Sequence, residues 1–162
     1  MNEYANSRVK LKKANKSDAE ELLKLQRTVF MPIYQKYEDH ETSPVNQTMD
    51  RFIKRFDIGD YYKIMYDESL AGSVFVYQEK PGVMKFHIIN ILEEFQNKGI
   101  AQKIMKMLEG IYPQADIWKL ETIESEKRNC YLYEKMGYVK TPEKQVVNGK
   151  LTLITYIKVK KN

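Results

Sequence analysis

Residues 88–102 constrain the fold more than any other stretch; they read Ile-Ile-Asn-Ile-Leu-Glu-Glu-Phe-Gln-Asn-Lys-Gly-Ile-Ala-Gln. An apolar strand (Ile88, Ile89, Ile91, Leu92) runs through a brief acidic break into Gln96-Asn97-Lys98-Gly99-Ile100-Ala101, and a helix starts at once. Such a junction builds an anion site, because the first helical N–H groups have no intrahelical acceptor and the helix dipole makes that end partly positive. Gly99 lets the backbone turn tightly and approach a ligand. Ala101 is small enough for a pyrophosphate to sit against the helix, and Lys98, Lys103 and Lys106 add positive charge. The segment is neither a Walker loop nor a dinucleotide G-x-G-x-x-G, and its loose spacing also suits an ordinary glycine turn.

The rest of the pattern places this junction in a mixed α/β fold. Val9, Leu11 and Lys13 alternate with Lys10 and Lys12 as a first strand. Ser17 or Asp18 caps a helix carrying Leu22, Leu23, Leu25, Val29, Phe30 and Ile33, which Pro32 is expected to kink or end. Residues 38–47 read as a loop, and Thr48 begins a second helix with Met49, Phe52, Ile53 and Phe56. Strands follow over 61–66 and 70–78 around the turn Asp67–Ser69, then over 83–92 after Pro81-Gly82. Residues 98–111 form a helix with an Ile100, Ile104, Met107, Leu108, Ile111 stripe, halted by Gly110 and Pro113. A strand over 115–123, a short helix over 126–136 ending at Gly137, and a hairpin at Asn148-Gly149 complete the chain. Leu151, Leu153, Thr155, Ile157 and Val159 make the last strand. The order is β-α-α-β-β-β-α-β-α-β-β, and one domain spanning residues 1–162 is the simplest organisation.

Composition removes several classes of function. No apolar run approaches the ~20 residues that cross a bilayer, and the first 30 residues lack the apolar core of a signal peptide. The single cysteine, Cys130, allows no internal disulfide and no zinc cluster, so no metal is expected and the cytoplasm is the expected compartment. The net charge is +5, with net −1 over residues 1–97 and net +6 over residues 98–162. A basic half suits nucleic acid, an acidic membrane or a phosphorylated small molecule.

A second segment, residues 115–138, holds Glu121 on a strand and Tyr133 on the following helix. A carboxylate and a phenol brought to one cleft make a base and acid pair, whereas singly each also suits a structural role. Leu132-Tyr133-Glu134-Lys135-Met136-Gly137-Tyr138 resembles the L-Y-E-K-x-G-F/Y segment of the GNAT superfamily of N-acetyltransferases. Gln96 through Ala101 is similar to that superfamily's acetyl-CoA motif, Q/R-x-x-G-x-G/A. The spacing of the two motifs and the element order fit as well, so the resemblance covers nearly the whole chain and is most specific over 85–138.

The resemblance implies the GNAT fold: a central, mostly antiparallel mixed sheet of about six to seven strands flanked by about four helices. It implies acetyl-CoA as co-substrate. The pyrophosphate would lie on the N–H groups of Gln96, Asn97, Lys98, Gly99, Ile100, Ala101 and Gln102. The pantetheine arm would run beside Ile89, Asn90 and Ile91, and the thioester would enter a gap between strands 83–92 and 115–123. Glu121 then matches the base of related ribosomal-protein N-acetyltransferases, acting through a water, and Tyr133 matches the acid that protonates the CoA thiolate. Two departures stand out. Glu126 occupies a position where the family often has a CoA-contacting Asn, which shifts that expectation to Asn129, and Glu93 replaces a common proline.

The acceptor is expected to be a primary amine of a small molecule or peptide. Glu38, Asp39, Glu41 and Asp50, with no Lys or Arg between 38 and 50, would draw a cationic amine, although a solvated loop has the same composition. Tyr34, Tyr37, Tyr77 and His40 are possible lining groups, while His87, among apolar strand neighbours, reads as structural and Cys130 as a packing residue. The resemblance allows a homodimer and gives no membrane or nucleic-acid partner. Two rival readings are a basic nucleic-acid binder resting on Lys158, Lys160 and Lys161, and an acetyl-CoA-sensing fold without turnover.

Overall fold

A computed structural model of the chain describes residues 7–160. Its elements are β1 (Val9–Lys13), α1 (Ala19–Tyr37), α2 (Met49–Lys54), β2 (Asp60–Tyr66), β3 (Ser69–Lys80), β4 (Val83–Ile91), α3 (Ile100–Ile111), β5 (Ile117–Ile123), α4 (Lys127–Lys135), β6 (Val139–Val146) and β7 (Thr152–Val159). The strands form one seven-stranded sheet in the order β1-β2-β3-β4-β5-β7-β6. All neighbours are antiparallel except β4 and β5. This is the mixed α/β architecture expected from the order of elements. Among the described residues no helix is long and apolar enough to cross a membrane.

Strand periodicity divides the core into two layers, since successive side chains point to opposite faces. On one face Tyr62, Ile64, Val74, Val76, Phe86, Trp118 and Leu120 pack with Ile100, Ile104, Met105 and Leu108 of α3. Phe86 stacks on Trp118 with ring centroids 4.4 Å apart. On the other face Tyr61 and Phe75 pack with Leu22, Leu23 and Leu25 of α1 and Phe52 of α2. Burying each such side chain contributes about 1.5–3 kcal/mol.

Two turns differ from expectation. Helix α1 continues past Pro32 to Tyr37 rather than ending there. The cost of an interior proline, about 3 kcal/mol, is offset by what anchors the last turn. Tyr37 is buried, Glu38 closes the helix in the left-handed region with its N–H on the Tyr34 carbonyl (2.8 Å), and Asn148 Nδ2 donates to the Tyr37 carbonyl (3.1 Å). The second concerns Asn148-Gly149. It does not form a two-residue hairpin, and Gly149 is not among the residues with positive φ. Asn148 Oδ1 instead accepts from the Lys150 and Leu151 N–H groups (2.8 and 2.9 Å), giving a wider loop tied to α1.

Candidate active site

Strand β4 carries the feature that makes a site. Val76 pairs with Phe86 and Phe75 with Ile88, so His87 is an extra residue, a β-bulge. The β4–β5 ladder runs only from Val83–Ile117 to Phe86–Leu120. Beyond the bulge the two strands part, and among the described residues Ile88–Ile91 pair with no residue of β5.

The backbone of that open stretch has a definite polarity. Leu92 N–H donates to the Ala71 carbonyl of β3 at 2.8 Å. Main-chain groups of adjacent residues point to opposite sides of a strand, so Asn90 shares the β3 side while the N–H groups of Ile89 and Ile91 point into the gap. The Ile91 carbonyl on the gap side accepts from Gln96 Nε2 at 3.0 Å. The Asn90 side chain is fully buried on the α1 face, where Nδ2 donates to Ser73 Oγ at 3.0 Å. It therefore lies away from the strand edge that Ile89 and Ile91 expose.

The glycine turn sits at the open end of this edge. Asn97 and Gly99 are both left-handed (φ 64° and 73°), and Gly99 is the N-cap of α3. Lys103 N–H closes the first turn on the Gly99 carbonyl at 3.2 Å. The N–H groups of Ile100, Ala101 and Gln102 are then left without an intrahelical acceptor. A Cβ at Gly99 would meet nothing within 4 Å, so the space beside this residue is open. Lys98 lies over the Tyr66 ring, 5.7 Å from its centroid. Lys103 and Lys106 are exposed with no ion-pair partner among the described residues. The unpaired N–H groups, the positive helix end and the open volume fit a pyrophosphate, and the free edge of β4 fits an amide-bearing arm.

Glu121 is the first β5 residue past the last β4 pair. Its side chain lies on the α1/α2 face and is bound by Lys85 Nζ. Burial pushes the Lys85 ammonium down, but the bond and charge of Glu121 outweigh it and hold the pKa above its usual value. Tyr133 lies on the opposite face, against Tyr138 and Tyr156, with ring centroids 6.3 and 6.2 Å away. Burial pushes its phenol up to about 12, so it stays protonated at neutral pH. The two side chains are not joined; they flank the sheet from either side. Asn129 is exposed on the first turn of α4.

Two readings of the surroundings change. Two of the four loop carboxylates are engaged, whereas Glu41 and Asp50 are exposed with no ion-pair partner among the described residues. Glu38 is paired with Lys150 (2.5 Å), and Asp39 is buried, accepting from the Thr42 N–H (2.9 Å) and its hydroxyl. Glu126 caps α4, where Lys36 Nζ (2.8 Å) and the Tyr37 hydroxyl (2.5 Å) bind one oxygen and hold the carboxyl below its usual pKa. Tyr37 is thus a brace from α1 to α4 rather than a free lining group, while Tyr34 bonds His40 Nδ1 at 2.7 Å. The tail cations also have partners: Lys158 pairs with Glu109 (3.0 Å), and Lys160 Nζ donates to the Glu109 carbonyl (2.9 Å) near the C-terminus of α3. Lys161 lies outside the described residues.

His87, read from the sequence as structural, shares the α1/α2 face with Lys85 and Glu121, as alternation with Phe86 requires. It is exposed there beside Phe75 and Tyr77, each ring centroid 6.0 Å away.

Solved structures share the fold. A Salmonella typhimurium acetyltransferase that modifies the N-terminal serine of ribosomal protein L7/L12 is 15% identical, with TM-score 0.75, covering 96% of this chain and 97% of its own. A PaiA N-acetyltransferase from Thermoplasma acidophilum, in complex with coenzyme A, is 12% identical, with TM-score 0.72 and coverage of 94% and 99%. A GNAT-family acetyltransferase from Elizabethkingia anophelis with acetyl-CoA bound is 17% identical, with TM-score 0.67 and coverage of 95% and 99%. No curated protein matches the sequence. At these identities the likeness is one of fold. The family model for the acetyltransferase (GNAT) domain matches residues 31–159, most of the chain, and the protein therefore belongs to the GNAT acetyltransferase family.

Proposed function

We propose that the protein is an acetyl-CoA-dependent N-acetyltransferase that moves an acetyl group directly to a primary amine of a small molecule or peptide. The observation that carries this is the fork between β4 and β5: the gap-facing N–H groups of Ile89 and Ile91 lead to the N–H cluster of α3. The neighbours solved with acetyl-CoA or coenzyme A bound support the same co-substrate.

Acetyl-CoA supplies an activated thioester. The chain's own groups do the rest. Gln96 through Gln102 hold the pyrophosphate, while Asn129 on α4 is the further polar contact in place of Glu126. The edge of β4 aligns the arm, and a backbone N–H near Ile91 stabilises the charge that develops on the carbonyl oxygen. Glu121 drives removal of the amine proton through an intervening group. Tyr133, kept protonated by burial, gives its proton to the sulfur as it leaves.

A thiol-release assay with acetyl-CoA and a panel of amines tests this. The panel contains spermidine, kanamycin, 2-phenylethylamine and a short peptide with a free N-terminal serine. Amine-dependent release of free CoA with a matching acetylated product supports the proposal. Stabilisation by acetyl-CoA without turnover on any amine contradicts it.

A further inference from the structure

His87 is the group that the fold exposes and the scheme above leaves unused. It is the extra residue of the β4 bulge, at the point where β4 leaves β5. It faces the α1/α2 side, the same side as Lys85 and Glu121. His87 is an exposed residue and makes no side-chain hydrogen bond among the described residues, so an imidazole nitrogen is available. Phe75 and Tyr77 from β3 hold it edge-on, with interplanar angles of 84° and 69°.

We propose that His87 is the intervening group that takes the proton from the acceptor amine, with Glu121 stabilising the imidazolium that results. This rests on the acetyltransferase reading of the site and replaces the water expected between Glu121 and the amine. The residues around the ring suit the role. The charged groups facing it are Arg55 at the end of α2, Lys85 on β4 and Glu121 on β5. Partial burial of the ring, followed by the Arg55 and Lys85 cations, lowers the imidazole pKa to about 4, and Glu121 opposes this. The imidazole is therefore neutral at pH 7. Arg55 is itself fixed, donating to Gln26 Oε1 (3.1 Å) and the Tyr61 hydroxyl (2.7 Å), and Lys85 is fixed on Glu121.

The protons balance. One proton passes from the ammonium to His87 and on to solvent, freeing the nitrogen lone pair. That pair forms the new C–N bond at the thioester carbonyl. As the C–S bond breaks, Tyr133 protonates the sulfur, and the second proton shed by nitrogen returns the tyrosine to its neutral form through solvent. One proton leaves for each acetyl group transferred.

The test is the pH profile of kcat/KM for the panel amine with the highest turnover, in wild type, His87→Gln and His87→Ala. Loss of the general base should lower kcat/KM at pH 7 by about 100-fold or more. The deficit should shrink as pH rises toward the amine's own pKa, because free amine needs no base. Added imidazole should partly restore His87→Ala. Acetyl-CoA stabilisation should be unchanged in both variants, showing an intact fold. Turnover by His87→Gln within twofold of wild type, with the same profile, overturns the role of His87 and leaves the acetyltransferase reading standing. A uniform loss at all pH values without imidazole rescue also overturns it. Absence of turnover on every amine in wild type overturns both.

Discussion

Phe86 and Leu120 are the last residues that join β4 to β5, and the open edge of β4 begins immediately past them. His87 bulges out next to Phe86, Glu121 follows Leu120, and the unpaired edge of Ile89 and Ile91 begins one step further on. The register shift coincides with the point where β4 parts from β5, and the histidine standing there lies on the α1/α2 side with Lys85 and Glu121.

Tyr133→Phe removes the phenolic proton without emptying the space between Tyr138 and Tyr156. The expected result is a fall in kcat of about 100-fold or more, with acetyl-CoA affinity unchanged by calorimetry. Near-full turnover would remove Tyr133 from the acid role.

Gly99→Ala meets open space, so its effect is conformational rather than steric. Holding alanine at φ 73° costs roughly 1–2 kcal/mol. If the turn relaxes in the free protein, acetyl-CoA must restore it on binding, so Kd should rise about 5–30-fold. Titration calorimetry reads this directly, and an unchanged Kd would separate Gly99 from the phosphate site.

Gly72→Ala tests the packing of β3 on β4. A Cβ there would lie 1.9 Å from the Asn90 carbonyl oxygen, a backbone atom that cannot swing aside. Overpacking of this kind costs typically about 1–3 kcal/mol, so Tm should fall by several degrees. Gly149→Ala, with nothing within 4 Å of its Cβ, should leave Tm unchanged.

Glu126 links stability to pH. Its carboxyl is held below its ordinary value of 4.5, first by Lys36 and then by Tyr37. A group whose folded pKa is depressed adds stability above its unfolded value and loses it as pH falls through the folded one. Glu126→Gln should therefore lower Tm at pH 7 by about 2–4 °C. The difference from wild type should narrow as pH drops below 4.5. A constant difference down to pH 2 would assign the loss to packing instead.

The readable parts of this fold were those encoded locally. The strand, the glycine turn and the helix of residues 88–102 are adjacent in sequence, so apolar spacing and Gly99 were enough. The Tyr133-to-Gly137 segment was legible for the same reason, Gly137 being left-handed with its N–H on the Glu134 carbonyl (3.1 Å). What alternation hid were contacts between distant segments. Glu126 looked like a missing contact because Lys36 and Tyr37 lie about ninety residues away in sequence. Pro32 looked like a helix end because its anchors, Asn148 among them, come from the last hairpin. Glu38 in the acidic loop looked free because Lys150, its partner, is more than a hundred residues away in sequence. His87 looked structural because the parting of β4 from β5 beside it leaves no trace in composition.

Amide hydrogen exchange at Ile89 and Ile91, with and without acetyl-CoA, tests the fork most directly. In the free protein both N–H groups face the gap unpaired, while that of Asn90 lies on the β3 side. Binding along the edge should slow exchange at Ile89 and Ile91, together with Ile100, Ala101 and Gln102 at the start of α3, and leave Asn90 as it was. Protection elsewhere in the sheet, with Ile89 and Ile91 exchanging at their free-protein rates, would contradict the account.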